Sequence, residues 1–140
     1  MPLFSTALVI VAAVINATAS NSVKDCSAGT SVFKFTGGSL LPDPVVPGKD
    51  SSITLNADIP DGTYVNKGTA KYSISFNGIP FTPTVEDLCS NVDCPLLAGP
   101  YTNTTTSVFP SGISGKVVTK IEWFDSAGNH LLCVDVTAKV

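Results

Sequence analysis

The sequence predicts an all-β fold, a sandwich of two antiparallel sheets built from about seven short strands. Three observations carry this. Apolar and polar residues alternate with a period of two in several segments. Stretches rich in proline, glycine and aspartate separate those segments. No apolar stripe of helical period and useful length follows the first twenty or so residues.

In chain order, Ile53, Leu55, Ala57 and Ile59 alternate with Ser52, Thr54, Asn56 and Asp58. Tyr72, Ile74 and Phe76 alternate with Lys71, Ser73 and Ser75, and Leu132, Val134, Val136 and Ala138 with Cys133, Asp135, Thr137 and Lys139. Each reads as a strand with one buried and one wet face, because successive side chains of a strand point to opposite sides. The segment 117–124 is apolar on both faces, with Ile121 and Trp123 on one and Val118 and Phe124 on the other. That marks a central strand, or one whose second face covers a ligand. Leu41 to Lys49 is a proline-rich connection, 58–62 carries turn residues, and Asp125 to Asn129 reads as a hairpin loop.

The amino terminus reads as a targeting segment. Leu3 to Ile15 is apolar apart from Ser5 and Thr6, and Ala17-Thr18-Ala19 is a small-x-small cleavage pattern. Residues 1–19 are therefore expected to be a signal peptide, with cleavage before Ser20 and one domain over 20–140. No basic residue precedes the apolar run; the alternative is an uncleaved anchor, for which the run is short. Secretion, or delivery to the lumen of the endosomal/lysosomal pathway, is the expected location. It agrees with the four cysteines, Cys26, Cys89, Cys94 and Cys133, an even number that reads as two disulfides. A zinc site is a poor match, with one histidine in the chain and a Cys-x4-Cys spacing.

Composition excludes other classes. The net charge is −3, with eight lysines and no arginine. Nucleic-acid binding needs clustered cations and commonly arginine, so no nucleic-acid partner is expected. Catalytic constellations are missing too. His130 is the only histidine and reads as an exposed turn residue. There is no Gly-x-Ser-x-Gly elbow and no phosphate-cradling glycine loop, and Glu86 and Asp87 are adjacent rather than opposed. A binding protein, not an enzyme, is the expectation, with no cofactor and no metal. Asn103-Thr104-Thr105 is a glycan acceptor sequence, which would place it at the surface; the alternative is an unused polar patch.

The stretch from Asn77 to the end carries the informative order: Asn77-Gly78-Ile79-Pro80-Phe81-Thr82-Pro83, then Asp87-Leu88-Cys89, then Cys94-Pro95-Leu96 and Gly99. Phe109-Pro110 and Gly112-Ile113 follow, then Ile121-Glu122-Trp123, a polar loop, and Leu131-Leu132-Cys133-Val134. Together with the opening Asp25-Cys26, this resembles the ML domain, the lipid-recognition family that includes sterol carriers of the Niemann-Pick type C pathway and fungal phosphatidylglycerol/phosphatidylinositol transfer proteins. The resemblance covers the mature chain and departs in one respect. Many members have a further early cysteine pair, and Ser27 to Asp61 contains none.

The resemblance implies an immunoglobulin-like sandwich with an inter-sheet hydrophobic cavity, and the pairings Cys26–Cys133 and Cys89–Cys94. It implies a sterol or phospholipid ligand, transient membrane contact, and a receptor or membrane-protein acceptor as a possible partner. In the sterol carriers an aromatic eight residues before the Cys-x4-Cys pair guards the pocket mouth; Phe81 holds that place, and Phe109 to Ile113 matches the other rim segment. Tyr72, Ile74, Phe76, Ile121 and Trp123 are inward candidates on strands, and Tyr101 is a rim candidate. Each can equally be ordinary packing. Nothing in the pattern demands more than a monomer. Lipid carrier, lipid-dependent recognition protein and filled-core interaction module are the readings left to separate.

Overall fold

The structure, a computed structural model, describes residues 21–140; the expected signal peptide and its cleavage site lie outside the described residues. Among the described residues there are nine strands and one helical turn: β1 (Ser22–Asp25), β2 (Lys34–Leu41), β3 (Asp50–Val65), β4 (Gly68–Phe76), β5 (Ile79–Pro80), β6 (Thr84–Asp87), α1 (Leu88–Asn91), β7 (Leu96–Val108), β8 (Lys116–Asp125) and β9 (His130–Lys139). They form two antiparallel sheets. One runs β1-β9-β8-β4, with β5 and β6 both paired to the far side of β4; the other runs β2-β3-β7. The count exceeds seven because β1, β5 and β6 are pieces of two to four residues, too short to show an alternation.

The alternating segments of β3 and β9 bury the expected faces, whereas that of β4 leaves Tyr72 and Phe76 half-buried and Ile74 exposed. Leu55, Ala57 and Ile59 of β3 meet Leu132, Val134, Val136 and Ala138 of β9 in one core, all of them buried. Strand β8 is hydrogen-bonded on both sides, to β4 and to β9, which accounts for its two apolar faces. The turn expected at 58–62 is instead an irregularity inside β3. Pairing with β7 breaks after Ile59 and resumes at Tyr64, since Pro60 offers no N–H and Gly62 takes a positive φ of 80°.

The hairpin loop at Asp125 forms as expected. The Asp125 carboxylate accepts the N–H groups of Ala127 (3.0 Å) and Asn129 (2.8 Å) and the Asn129 amide (2.9 Å). These bonds, chiefly those from Asn129, hold its acid below the ordinary value against a smaller opposing desolvation. His130 is not an exposed turn residue. It opens β9 half-buried, stacked on Phe124 at 4.9 Å, with Nε2 3.2 Å from a Glu122 carboxylate oxygen. The tight hairpin folds the ring back onto β8.

The sandwich is closed along one long edge. Both disulfides form with the implied pairing, and Cys26–Cys133 ties β1 to β9, reinforced by the Cys26 N–H donating to the Cys133 carbonyl at 3.0 Å. Val32 and Phe33 donate to the carbonyls of His130 and Leu131, so the chain leaving β1 stays pinned to β9. Strand β2 of the second sheet packs against β1 and β9 across the gap. The approach is close enough to require a glycine: a Cβ on Gly38 would lie 2.5 Å from the Thr54 carbonyl oxygen and 2.7 Å from Val23 Cγ1. Asn21 fastens the same edge, its amide donating to the carbonyls of Leu40 (2.8 Å) and Pro42 (2.9 Å).

Two outcomes follow from this seam. Gly38→Ala pushes its methyl against a backbone carbonyl that cannot swing away, and lowers stability by about 1–3 kcal/mol, seen as a lower urea midpoint at unchanged slope. The Cys26–Cys133 bridge spans 107 residues and Cys89–Cys94 only 5. In the chain-entropy view, removing the first loses about 4–5 kcal/mol and removing the second about 2 kcal/mol, which urea unfolding of the two double-alanine variants measures directly.

Candidate functional site

Opposite the closed edge the sheets part. The inner face of β4 offers Tyr72, Ile74 and Phe76, and in register beside them β8 offers Ile121, Thr119 and Val117. These six side chains form one wall. The facing wall comes from Ile53 of β3 and from β7, where Thr105 lies directly opposite Ile53. Between the walls is a cavity of about 710 Å³. A second cleft, of about 230 Å³, lies beside Asp25, whose carboxylate is occupied by the Ser27 hydroxyl and N–H and by the Gly29 N–H.

The mouth lies where β4 and β7 end and β8 begins. There Phe81, Phe109, Pro110 and Ile113 line the opening. Phe81 is placed by a two-residue turn: Asn77 and Gly78 both take positive φ, as a tight hairpin between β4 and β5 requires, and the Phe81 N–H then donates to Ile74 at 2.9 Å. The Asn77 side chain accepts from the Lys116 N–H at 2.9 Å, fixing this lip against the start of β8. On the other rim the Gly48 N–H donates to the Phe109 carbonyl at 2.8 Å. The lip is apolar yet wet, with Phe81 56 % and Val108 55 % exposed. The far end is shut by Tyr101 of β7 set edge-on against Trp123 of β8, ring centres 6.2 Å apart, one ring from each sheet.

On the side nearest α1 the lining is polar. Asp87 caps α1, accepting from the Cys89 N–H at 3.2 Å, and buried Leu88 anchors the turn against β4. The turn carries Asn91, whose amide donates to Glu86 Oε2 at 3.0 Å, and both residues line the cavity. Burial, and then the Glu86 charge, push the Tyr72 phenol above its ordinary value. Burial also raises Tyr101; Asp93 adds to the effect and a hydrogen bond with Asn103 opposes it.

Seven of the nine lining candidates meet in this cavity: Tyr72, Ile74, Phe76, Phe81, Phe109, Ile113 and Ile121. Tyr101 and Trp123 do not line it. They pack on each other beneath it, Tyr101 standing level with Ala57 on β3, four residues before the Thr105 that lines the cavity. Unforeseen members are Ile53, Val117, Thr119, the run Thr105 to Val108, Glu86 and Asn91, while Pro110 belongs to the rim segment Phe109 to Ile113. Ile53 sat on an alternating face and Val117 at the start of the segment apolar on both faces, so both were within reach of the pattern; the threonine run of β7 has no apolar period to read. Asn103 lies in β7, half-buried and level with Leu55. Glu122, His130 and Cys133 gather within 4.8 Å, but the Cys133 sulfur is bonded to Cys26 and offers no thiolate.

Residues 20–140 match the family model described as ML domain. A phosphatidylglycerol/phosphatidylinositol transfer protein of Cryptococcus neoformans is 27% identical over 127 residues, covering 82% of this chain and 68% of its own. Among solved structures, a Niemann-Pick type C2 protein from the Japanese carpenter ant superposes with a TM-score of 0.61 at 19% identity, covering 83% of this chain and 96% of its own. Chicken MD-1, crystallised with lipid IVa, gives 0.54 at 17% identity, covering 84% and 86%. At these identities the two structures bear on the fold alone, and both share the two-sheet architecture.

The half-buried tyrosines Tyr72 and Tyr101 give the fold a pH signature. Both phenols are raised above 10.0 in the folded chain, so their stabilising contribution is whole below that value and is lost as pH rises through the raised one. Thermal unfolding followed from about pH 9 to 12 shows a falling midpoint, and the fall is shallower in Tyr72→Phe and Tyr101→Phe.

Proposed function

The chain belongs to the ML-domain family, and on that premise we propose that it is a secreted lipid-binding and transfer protein holding one sterol or phospholipid between its sheets. The observation that carries this reading is the splayed gap itself: about 710 Å³, walled by Ile74, Phe76, Val117 and Ile121, opening through an apolar lip. Its volume is in the range of small-molecule sites, and a pocket already open does not have to be formed at the ligand's expense. Each methylene buried there contributes about 0.8 kcal/mol, so an acyl chain or sterol nucleus binds without a charged anchor.

The exposed lip of Ile79, Phe81, Val108 and Ile113 suits brief contact with a membrane, across which the ligand would pass without meeting water. In this reading residues 1–19 are the signal peptide, the protein acts as a monomer in the extracellular or endosomal/lysosomal lumen, and Asn103 is the glycan acceptor. It is a binding protein: His130 is held by Phe124 and Glu122 and is not among the cavity-lining residues. A second reading, presentation of the lipid to a receptor, draws on the same lip as a protein-docking surface. A filled-core module has no use for an open gap of this size.

Mass spectrometry of lipids extracted from the purified secreted protein is the test. About one sterol or phospholipid per chain is expected, with occupancy reduced about tenfold or more in Phe81→Asp, on the scale of one large apolar contact. Absence of lipid in both, with no uptake from vesicles, overturns the carrier.

A further inference from the structure

The margin of a sheet offers unpaired backbone groups to any further strand, and most margins of this fold are guarded. Strand β1 has four residues and carries Lys24 and Asp25. Strands β5 and β6 have two and four residues and bring Pro80, Glu86 and Asp87 to the edge. Strand β2 begins at Lys34, is broken by an irregularity between Phe35 and Gly37, and is covered by β1 through Val23.

Strand β7 has none of these guards. Among the described residues it pairs with β3 alone. It is 13 residues long and none of them is charged. Its pairing with β3 runs from Gly99 to Val108 without a break. Pro100 withholds an N–H near the start, which leaves 101–108 as an unbroken run. Thr102, Thr104, Thr105, Thr106 and Val108 in that run are exposed and β-branched, the type that suits extended pairing.

The run is complementary to itself. Laid antiparallel on a second copy about a two-fold axis at Thr104, it sets Thr102 opposite Thr106 and Thr104 opposite its own equivalent, uncharged pairs of the kind that strands favour. The two three-stranded sheets would then continue as one. In that arrangement Asn103 stands opposite Thr105 of the second copy, one residue from the axis. The acceptor sequence Asn103-Thr104-Thr105 therefore lies at the centre of the unguarded margin. Asn103 keeps part of its surface in solvent and is not among the residues lining the cavity.

From this coincidence we propose that an N-linked glycan on Asn103 guards the margin of β7 and keeps the chain from pairing strand to strand with a second copy. Attachment joins Nδ2 of Asn103 to C1 of an oligosaccharide and breaks that carbon's bond to the pyrophosphate of a polyprenyl donor. The polyprenyl diphosphate leaves, and the amide gives up one proton. The sugar places a bulky, hydrated group where the second strand would lie. The inference rests on the reading of Asn103 as the glycan acceptor, not on which lipid the cavity holds.

The test uses the full chain secreted from eukaryotic cells. Mass spectrometry of its peptides reads the glycan, and sedimentation velocity reads the oligomeric state across the micromolar range. Wild type is expected to carry the glycan on Asn103 and to stay monomeric. Asn103→Gln and Thr105→Val each remove the acceptor sequence and are expected to strengthen dimerisation about a hundredfold or more, two decades of the affinity scale. Thr105→Ser keeps the sequence and the monomer. Adding Thr104→Lys to Asn103→Gln sets like charges across the axis and returns the chain to monomer. Wild type without a glycan on Asn103, unglycosylated variants that stay monomeric, or a dimer that Thr104→Lys leaves intact overturns the proposal. So does failure of both unglycosylated variants to fold, which makes the glycan a folding requirement instead. Lipid uptake from vesicles, counted on the same samples, tests the carrier reading separately.

Discussion

The architecture depends on one contact, the approach of β1 to β2 over Gly38. Two sheets normally lie about 10 Å apart and fill the space between them with side chains. Here the Val23 side chain reaches the position where a Cβ of Gly38 would stand, and the Cys26–Cys133 bridge holds β1 on β9 beneath it. With one long edge drawn that tight, the sheets diverge toward the other. The gap between β4 and β7 is the geometric complement of the seam between β1 and β2.

A cavity of this size is a liability to an isolated fold, because the residues around it lose packing partners. The molecule compensates locally. The Tyr101–Trp123 pair bridges both sheets immediately below the gap, so the divergence begins above a solid floor. The short bridge Cys89–Cys94 and the Asp87 cap stiffen the turn that carries Asn91, at the edge where β4 would otherwise be bordered only by β5 and β6. The parts that face the ligand space are thus supported by parts that do not, and this separation lets the lip residues stay exposed without loosening the core.

Much of this was legible in the sequence, for physical reasons. A strand with one wet face must alternate, so β3, β4 and β9 announced themselves, and β8 showed its central place through apolar residues on both faces. What alternation cannot convey is the distance between facing sheets. Trp123 and Ile121 share a face and a pattern, yet one closes the floor and the other lines the void. The level at which Tyr101 stands depends on the register of β7 against β3, a long-range pairing that local spacing does not encode. The Pro60–Gly62 segment shows the opposite failure, since residues that ordinarily end a strand are here absorbed as a bulge when pairing resumes at Tyr64. Glu86 and Asn91 carried no apolar period to read, and they reach the gap only because β6 and the turn α1 border β4.

One wall of the cavity differs in kind from the other. The wall made by β4 and β8 belongs to a sheet in which β8 is flanked on both sides, whereas among the described residues β7 is paired with β3 alone. A strand anchored along a single margin bends at little energetic expense, because leaning outward breaks no second ladder. The enclosure therefore behaves less as a box than as a sling, with one rigid panel and one compliant one. Widening the cavity from the β7 side therefore disturbs fewer hydrogen bonds than widening it from the side of β4 and β8.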